Sequence, residues 1–264
     1  LGCVAVIVWW VHTPQHAARD PGSRATLVYF REVIANPHLL RLDLGIFILH
    51  MVLTALFVVI PFALVDTLEL KRDAHWQVYV PVLIGSVLLM APLLMMGMRR
   101  QRTFWVFRLA IAILLVGQLA LLSGMDQAKL LLTGLLCFFV GFNLLEAMLP
   151  SLMTRLAPGY AKGTAIGVYN TFEFAGVFVG GAFGGILLGM FGGSGVFAFC
   201  ALASLAWLIL AFTGATPELR NSVTLRLDGE TALDRESLEL HLGALQGVDH
   251  VTVLPKDRIA YIRV

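Results

Sequence analysis

Residues 130–188 read LLLTGLLCFFVGFNLLEAMLPSLMTRLAPGYAKGTAIGVYNTFEFAGVFVGGAFGGILL, and this stretch decides the fold. Leu130 to Leu149 is one long apolar segment and Thr164 to Met190 is another. The first sets Asn143 and Glu146 one helical turn apart inside sequence otherwise fit for lipid. The second carries Glu173 and then a run of small residues. An ionisable side chain within a membrane span is expensive and points to function, whereas small residues at helical spacing let two membrane helices approach closely.

Composition agrees with a membrane class. The chain has 264 residues, of which 58% are hydrophobic and 14% charged, while soluble domains run nearer 45–50% and about 25%. The mean hydropathy is +0.83. Cys3, Cys137 and Cys200 lie in apolar segments without ligand-like spacing, so they read as small hydrophobes. No metal or cofactor is expected, and nothing suggests a nucleic-acid partner.

Outward from the opening stretch, the same reading gives six spans. They are Leu42–Val65, Val78–Met98, Phe104–Leu122, Leu130–Leu149, Thr164–Met190 and Val196–Ala215, each near the 20 residues a bilayer needs. Residues 1–12, LGCVAVIVWWVH, are too short to cross and read as the end of a truncated transmembrane helix. Residues 13–41 read as a cytoplasmic linker, broken by Pro14, Pro21 and Pro37. Within it Ala25 to Ala35 suits a short amphipathic helix with Leu27, Phe30 and Ile34 on one face. One set of loops carries Arg19, Arg24, Arg31, Arg41, Arg99, Arg100, Arg102, Arg155, Lys162 and Arg220. The alternate set is mixed or uncharged. The positive-inside rule therefore puts the linker and the C-terminus in the cytoplasm.

Beyond residue 216 the pattern changes. Val223, Leu225 and Leu227 alternate as in a strand, and Asp234 suits the cap of a helix from Arg235 to Leu245, with Leu238, Leu242 and Leu245 inward. Gly247 ends that helix. His250–Leu254 and Ile259–Val264 read as a hairpin around Pro255-Lys256-Asp257. Strand, helix, strand, strand is an incomplete ferredoxin-like order, so residues 217–264 read as a truncated α+β cytoplasmic domain. A copper-binding version would need a Cys-x-x-Cys after the first strand, but residues 227–234 read LDGETALD.

Six spans entered through a basic linker resemble the C-terminal half of a major facilitator superfamily transporter. TRLAPGYAKGTAIGVYNTFEFAGVFVGGAFGG is similar to that superfamily's connection between its tenth and eleventh helices, and RRQR sits where it has a basic hairpin. His50, FNLLEAMLPSL and the small tail together resemble YajR-type inner-membrane transporters, whose tail is called the YAM domain. The resemblance implies an all-α membrane fold with a partial ferredoxin-like module, in a multi-pass protein of the bacterial inner membrane. It also implies proton-driven efflux of a drug or sugar by antiport, with another six-helix half completing the cavity. It places a buried His and Glu at His50 and Glu146.

Each candidate has a chemical role and a structural alternative. Glu146 in apolar surroundings can load and release a proton, or be a neutral carboxyl bonded to a neighbouring helix. His50, mid-span, can relay that proton or tie two helices together. Asn143 can orient Glu146 or touch substrate. Glu173 can reflect substrate preference, or pair with Asn143 or Tyr169; Tyr169 and Asn170 are further cavity candidates. Asp43, Arg99, Arg100 and Arg102 are candidates for a conformational latch at the helix ends, although the superfamily's internal Asp in that loop is missing. Asp43 reads equally as an interfacial group pairing Arg41 or Arg102. The Gly176–Gly185 run reads as packing. An enzyme would need clustered ligands or a HExxH-type spacing, which is absent. A membrane-anchored sensor using the tail would have no need of three buried ionisable residues.

Overall fold

A computed structural model describes residues 27–99, 102–213, 222–226, 235–245, 250–254 and 259–263. The readings of residues 1–12, of the linker up to residue 26, of Leu227, Gly247 and the Pro255 turn, and of Arg100 lie outside the described residues.

Helix α1, Leu27–Ala35, forms as expected, but with a different buried side. Val33 is buried with Tyr29 packed behind it, while Phe30 and Ile34 are exposed. Helix α2, Pro37–Leu68, begins before the expected Leu42 because Asn36 caps it. The Asn36 side chain accepts from the backbone N–H of His38 at 3.0 Å, and Pro37 takes the first turn, where its missing N–H does no harm. Helices α3, Trp76–Arg99, and α4, Thr103–Gly124, follow.

Helix α5, Ala128–Leu156, runs seven residues past the expected Leu149 and straight through Pro150. Pro150 removes one helical hydrogen bond, the one that would end on the backbone carbonyl of Glu146. The apolar residues Leu152, Met153 and Leu156 are buried beyond it and keep the helix packed.

Five helices among the described residues are long and apolar enough to cross a membrane. The last, α6, Lys162–Thr213, has 52 residues and a break at Gly192, whose φ of 68° and ψ of −169° lie outside the helical region. Such a φ suits glycine because it has no Cβ to strain. The arms, residues 162–191 and 193–213, are about 45 and about 31 Å long at about 1.5 Å per residue. Either is enough for one crossing.

The arms fold back on each other. Phe183 and Phe199 stack with ring centroids 6.2 Å apart, whereas sixteen residues of straight helix would separate them by about 24 Å. Their directions against α2 confirm the reversal. In the first arm Gly176, Gly180 and Gly184 lie against Phe47, Met51 and Ala55, so the two helices run parallel. In the second arm Cys200 lies against the Val52 carbonyl and Trp207 against Gly45, in the opposite sense. Helix α2 is thus the central staff, buried along Leu39, Ile46, Leu49, Leu56 and Ile60.

Helices α4 and α5 also meet through glycines. A Cβ on Gly141 would lie 2.7 Å from the Ala110 carbonyl and from the Leu114 backbone nitrogen. Such close approaches supply the dispersion contacts that hold helices together where lipid competes equally for apolar side chains. The outer face of α3, with Trp76, Ile84 and Leu88, is exposed apolar surface.

In the tail, strands β1, Ser222–Arg226, β2, His250–Leu254, and β3, Ile259–Arg263, make one antiparallel sheet in the order β1-β3-β2. Val223 pairs with Ile262, and Val251 pairs with the same residue from the other side. Helix α7, Arg235–Gly243, precedes β2, so β3 is inserted between two strands joined through a helix, the split β-α-β arrangement. Val251, Val253, Ala260 and Ile262 form its core, with Leu238 and Leu242 packed on it. One expectation fails here: Leu245 lies past the helix end and is exposed. The strand read through Val223 and Leu225 forms as β1, with Leu225 exposed.

Candidate functional site

Three of the ionisable residues read inside the spans come together within the helix bundle. His50 on α2 points its Nε2 at Glu173 Oε1 on the first arm of α6, 3.5 Å away, and at Glu146 Oε2 on α5, 3.9 Å away. The other ring nitrogen, Nδ1, lies 3.3 Å from the backbone carbonyl of Ile46. That carbonyl can only accept, so Nδ1 carries a hydrogen. The Phe142 ring meets the imidazole edge-on at 5.9 Å between centroids.

This geometry has a protonation consequence. With Nδ1 already protonated, Nε2 either carries a second proton, or presents a lone pair toward two carboxyl groups. The second arrangement is repulsive unless one of those carboxyls is itself protonated. Two carboxyl groups thus face one imidazole edge, the Glu173 side chain 25% and the Glu146 side chain 41% exposed. Glu146 Oε2 itself is buried and has no hydrogen-bond partner.

The remaining candidates fall around this cluster unevenly. Asn143 does not orient Glu146. Its amide donates to Ser86 Oγ on α3 at 2.8 Å, and Ser86 donates onward to the Leu83 carbonyl at 2.8 Å. Glu173 pairs with His50 rather than with Asn143 or Tyr169. Tyr169 is buried, its hydroxyl without a partner. Asn170 is exposed.

The expected latch is not formed by Asp43. Its side chain is 0% exposed and neither oxygen has a hydrogen-bond partner, so it pairs with neither Arg41 nor Arg102, both exposed. Helix rotation carries Asp43 inward while Arg41 stays at the surface. The side chains of Arg99 and Arg100 lie outside the described residues. Ser86 was missed by sequence reasoning; its signal was a single hydroxyl in the apolar run PVLIGSVLLM. Among the described residues no group of three His, Cys, Asp or Glu side chains could hold a metal ion.

The family model described as Major Facilitator Superfamily matches residues 1–181. The chain belongs to the major facilitator superfamily. Its helices of membrane length make it a multi-pass membrane protein. It is 32% identical over 261 residues, 99% of its own length, to the Inner membrane transport protein YajR of Escherichia coli K12, of which it covers 57%. It is 28% identical over 194 residues to an uncharacterized transporter of Buchnera aphidicola subsp. Baizongia pistaciae, covering 70% of this chain and 48% of that one. The chain thus spans about half the length of the curated relatives it matches. This superfamily chain places its polar cluster where α2, α5 and the first arm of α6 converge.

Proposed function

We propose that this chain is the C-terminal six-helix half of a proton-driven transporter of the inner membrane, exporting a small molecule by antiport. The observation that carries the reading is His50 Nε2 facing two carboxyl groups while Nδ1 is engaged by Ile46. In this reading the cluster holds a proton between groups on three different helices. Any change in helix packing therefore changes its proton affinity. Conversely, proton loading changes which packing is cheaper, and that is what alternating access requires.

In this reading Glu146, His50 and Glu173 form the coupling site. Tyr169, Asn143 and Asn170 lie around the cavity, and the opposite six-helix half supplies the other wall. A proton entering from the periplasm neutralises the cluster as substrate leaves, and its release to the cytoplasm resets the site. The tail's β1-β3-β2 order supports a ferredoxin-like module, and the loop charges support its cytoplasmic placement. The inner-membrane assignment is supported by the name of the Escherichia coli relative.

The test is substrate-triggered proton flux in proteoliposomes, screening candidate drugs and sugars, with the protein carrying this chain and its Glu146→Gln variant. Flux in the parent that disappears in the variant supports the coupling role. Equal flux in both removes Glu146 from it, and flux with no compound removes the transporter reading.

A further inference from the structure

The His50 imidazole has several polar partners, yet none of them fixes the tilt of its ring. A firm N–H···O bond runs about 2.7–3.2 Å, and the His50 Nδ1 lies 3.3 Å from the Ile46 carbonyl. Nε2 lies 3.5 Å from Glu173 and 3.9 Å from Glu146. At such separations charges attract without demanding an angle. The Thr54 hydroxyl donates to the His50 backbone carbonyl at 2.8 Å, and so does not restrain the ring. One long bond at Nδ1 leaves the imidazole free to pivot about it. Packing has to hold the plane.

Phe142 on α5 supplies that packing. Its ring meets the imidazole edge to face, with centroids 5.9 Å apart and planes at 67°, a geometry that aromatic pairs prefer. Phe142 is itself braced. It stacks on Phe138 at 6.0 Å and 22°, and stands edge-on to Phe139 at 6.4 Å. Phe138 is fully buried, and its backbone is pressed against α4. A Cβ on Gly117 would lie 2.5 Å from the Phe138 nitrogen and 2.9 Å from its Cα. Phe139 meets Phe57 of α2 edge-on at 6.2 Å, about two turns beyond His50 on that helix. The three phenylalanines thus brace α5 on α4 and on α2. Phe142 precedes Glu146 by four residues, so both stand on one face of α5.

We propose that Phe142 is a positioning residue of the coupling site, its ring fixing the plane of the His50 imidazole so that Nε2 faces Glu173 and Glu146 together. This deepens the coupling role proposed for His50 and rests on it. The Ile46 carbonyl decides which way round the imidazole sits, and Phe142 decides its tilt. A leucine at this position fills much of the space but offers neither ring edge nor ring face. An edge-to-face pair favours one arrangement over its alternatives by about two- to ten-fold, and that preference is lost with the ring.

The test is magic-angle-spinning NMR of the protein in bilayers, with isotope-labelled histidine nitrogens and glutamate carboxyl carbons. The His50 Nε2 signal, assigned by its loss in His50→Gln, should give a cross-peak to glutamate carboxyl carbon in the parent. In Phe142→Leu that cross-peak should fall by about two-fold or more. In Phe142→Tyr, which keeps the ring, it should persist. Phe197→Leu removes a fully buried ring from the second arm of α6; it should lower the melting temperature and leave the cross-peak unchanged. If Phe142→Leu does not fold, Phe142→Met is read in its place with the same expectation. An undiminished cross-peak without the ring overturns the proposal. Loss of the cross-peak in Phe142→Tyr overturns it too, and so does an equal loss in Phe197→Leu, which would make the effect one of general packing. These failures leave the coupling role standing, because substrate-triggered flux in Glu146→Gln reads that role separately.

Discussion

Replacing Glu173 by Gln keeps the shape of the cluster and removes the carboxyl nearest to His50. The separation is 3.5 Å with the Glu173 side chain 25% exposed, against 3.9 Å and 41% for Glu146. At an effective dielectric near 20, a full charge pair at 3.5 Å is worth about 5 kcal/mol. Partial exposure screens this, and about 2 kcal/mol is a reasonable remainder. At about 1.4 kcal/mol per factor of ten, losing that pairing is worth a factor of roughly 30. Substrate-triggered proton flux in proteoliposomes, with whichever drug or sugar the screen identifies, should fall by an order of magnitude or more. The Glu146→Gln loss should be no larger, since that carboxyl is farther away and better screened. Because both act on one imidazole, the double variant should lose less than the product of the two single losses. Melting in detergent checks that each variant is folded. Wild-type flux in Glu173→Gln, beside lost flux in Glu146→Gln, would refute the reasoning, since the nearest pair would then contribute nothing.

Three other perturbations separate packing from coupling. A Cβ on Gly180 would collide with the Met51 carbonyl, so Gly180→Ala should lose about 1–3 kcal/mol of stability by overpacking, read as a lower melting temperature, together with reduced flux. Arg108 donates from Nε to the Ala211 carbonyl at 2.9 Å and lies over the Phe212 ring. Arg108→Met should therefore lower the melting temperature, with about 1–3 kcal/mol lost, and leave flux per folded molecule unchanged. The Tyr160 hydroxyl donates to Glu32 on α1, with the Tyr29 ring tilted against the Tyr160 ring at 5.4 Å between centroids. Tyr160→Phe should speed amide exchange across residues 27–35 and leave global stability within about 0.5 kcal/mol of the parent, as for exposed groups.

What the sequence revealed and what it concealed have separate physical causes. Span existence depends on the length and polarity of a segment, which are local, so α2 to α6 were legible. Helix ends were less so. Polar His38 and Arg41 drew the expected start of α2 inward although Asn36-Pro37 is a good cap. The fourth span was read only to Leu149, although Pro150 beyond it removes just one hydrogen bond and the helix runs on to Leu156. The candidates themselves stood out too, because a His or Glu in apolar sequence is conspicuous. Their distances were not, since these depend on how three helices rotate about their axes. The same rotation buries Asp43 beside exposed Arg41, and turns Val33 inward where Phe30 and Ile34 were expected.

The small-residue run and the ionisable cluster were read as separate features, packing on one side and chemistry on the other. In space they are one device. Phe47 and Met51 bracket His50 on α2, and these are the residues whose carbonyls lie against Gly176 and Gly180. Glu173 sits three residues before Gly176 on the same helix. Because neither glycine has a Cβ, the backbones of α2 and α6 close to contact there, and that closeness carries Glu173 to 3.5 Å from the imidazole. A larger residue would push the helices apart and lengthen the pair, even with every charged group unchanged. The separation of His50 and Glu173 is therefore tied to helix spacing through a rigid backbone contact, not through a flexible side chain. Any rearrangement that slides α6 along α2 must break this register and the ion pair together.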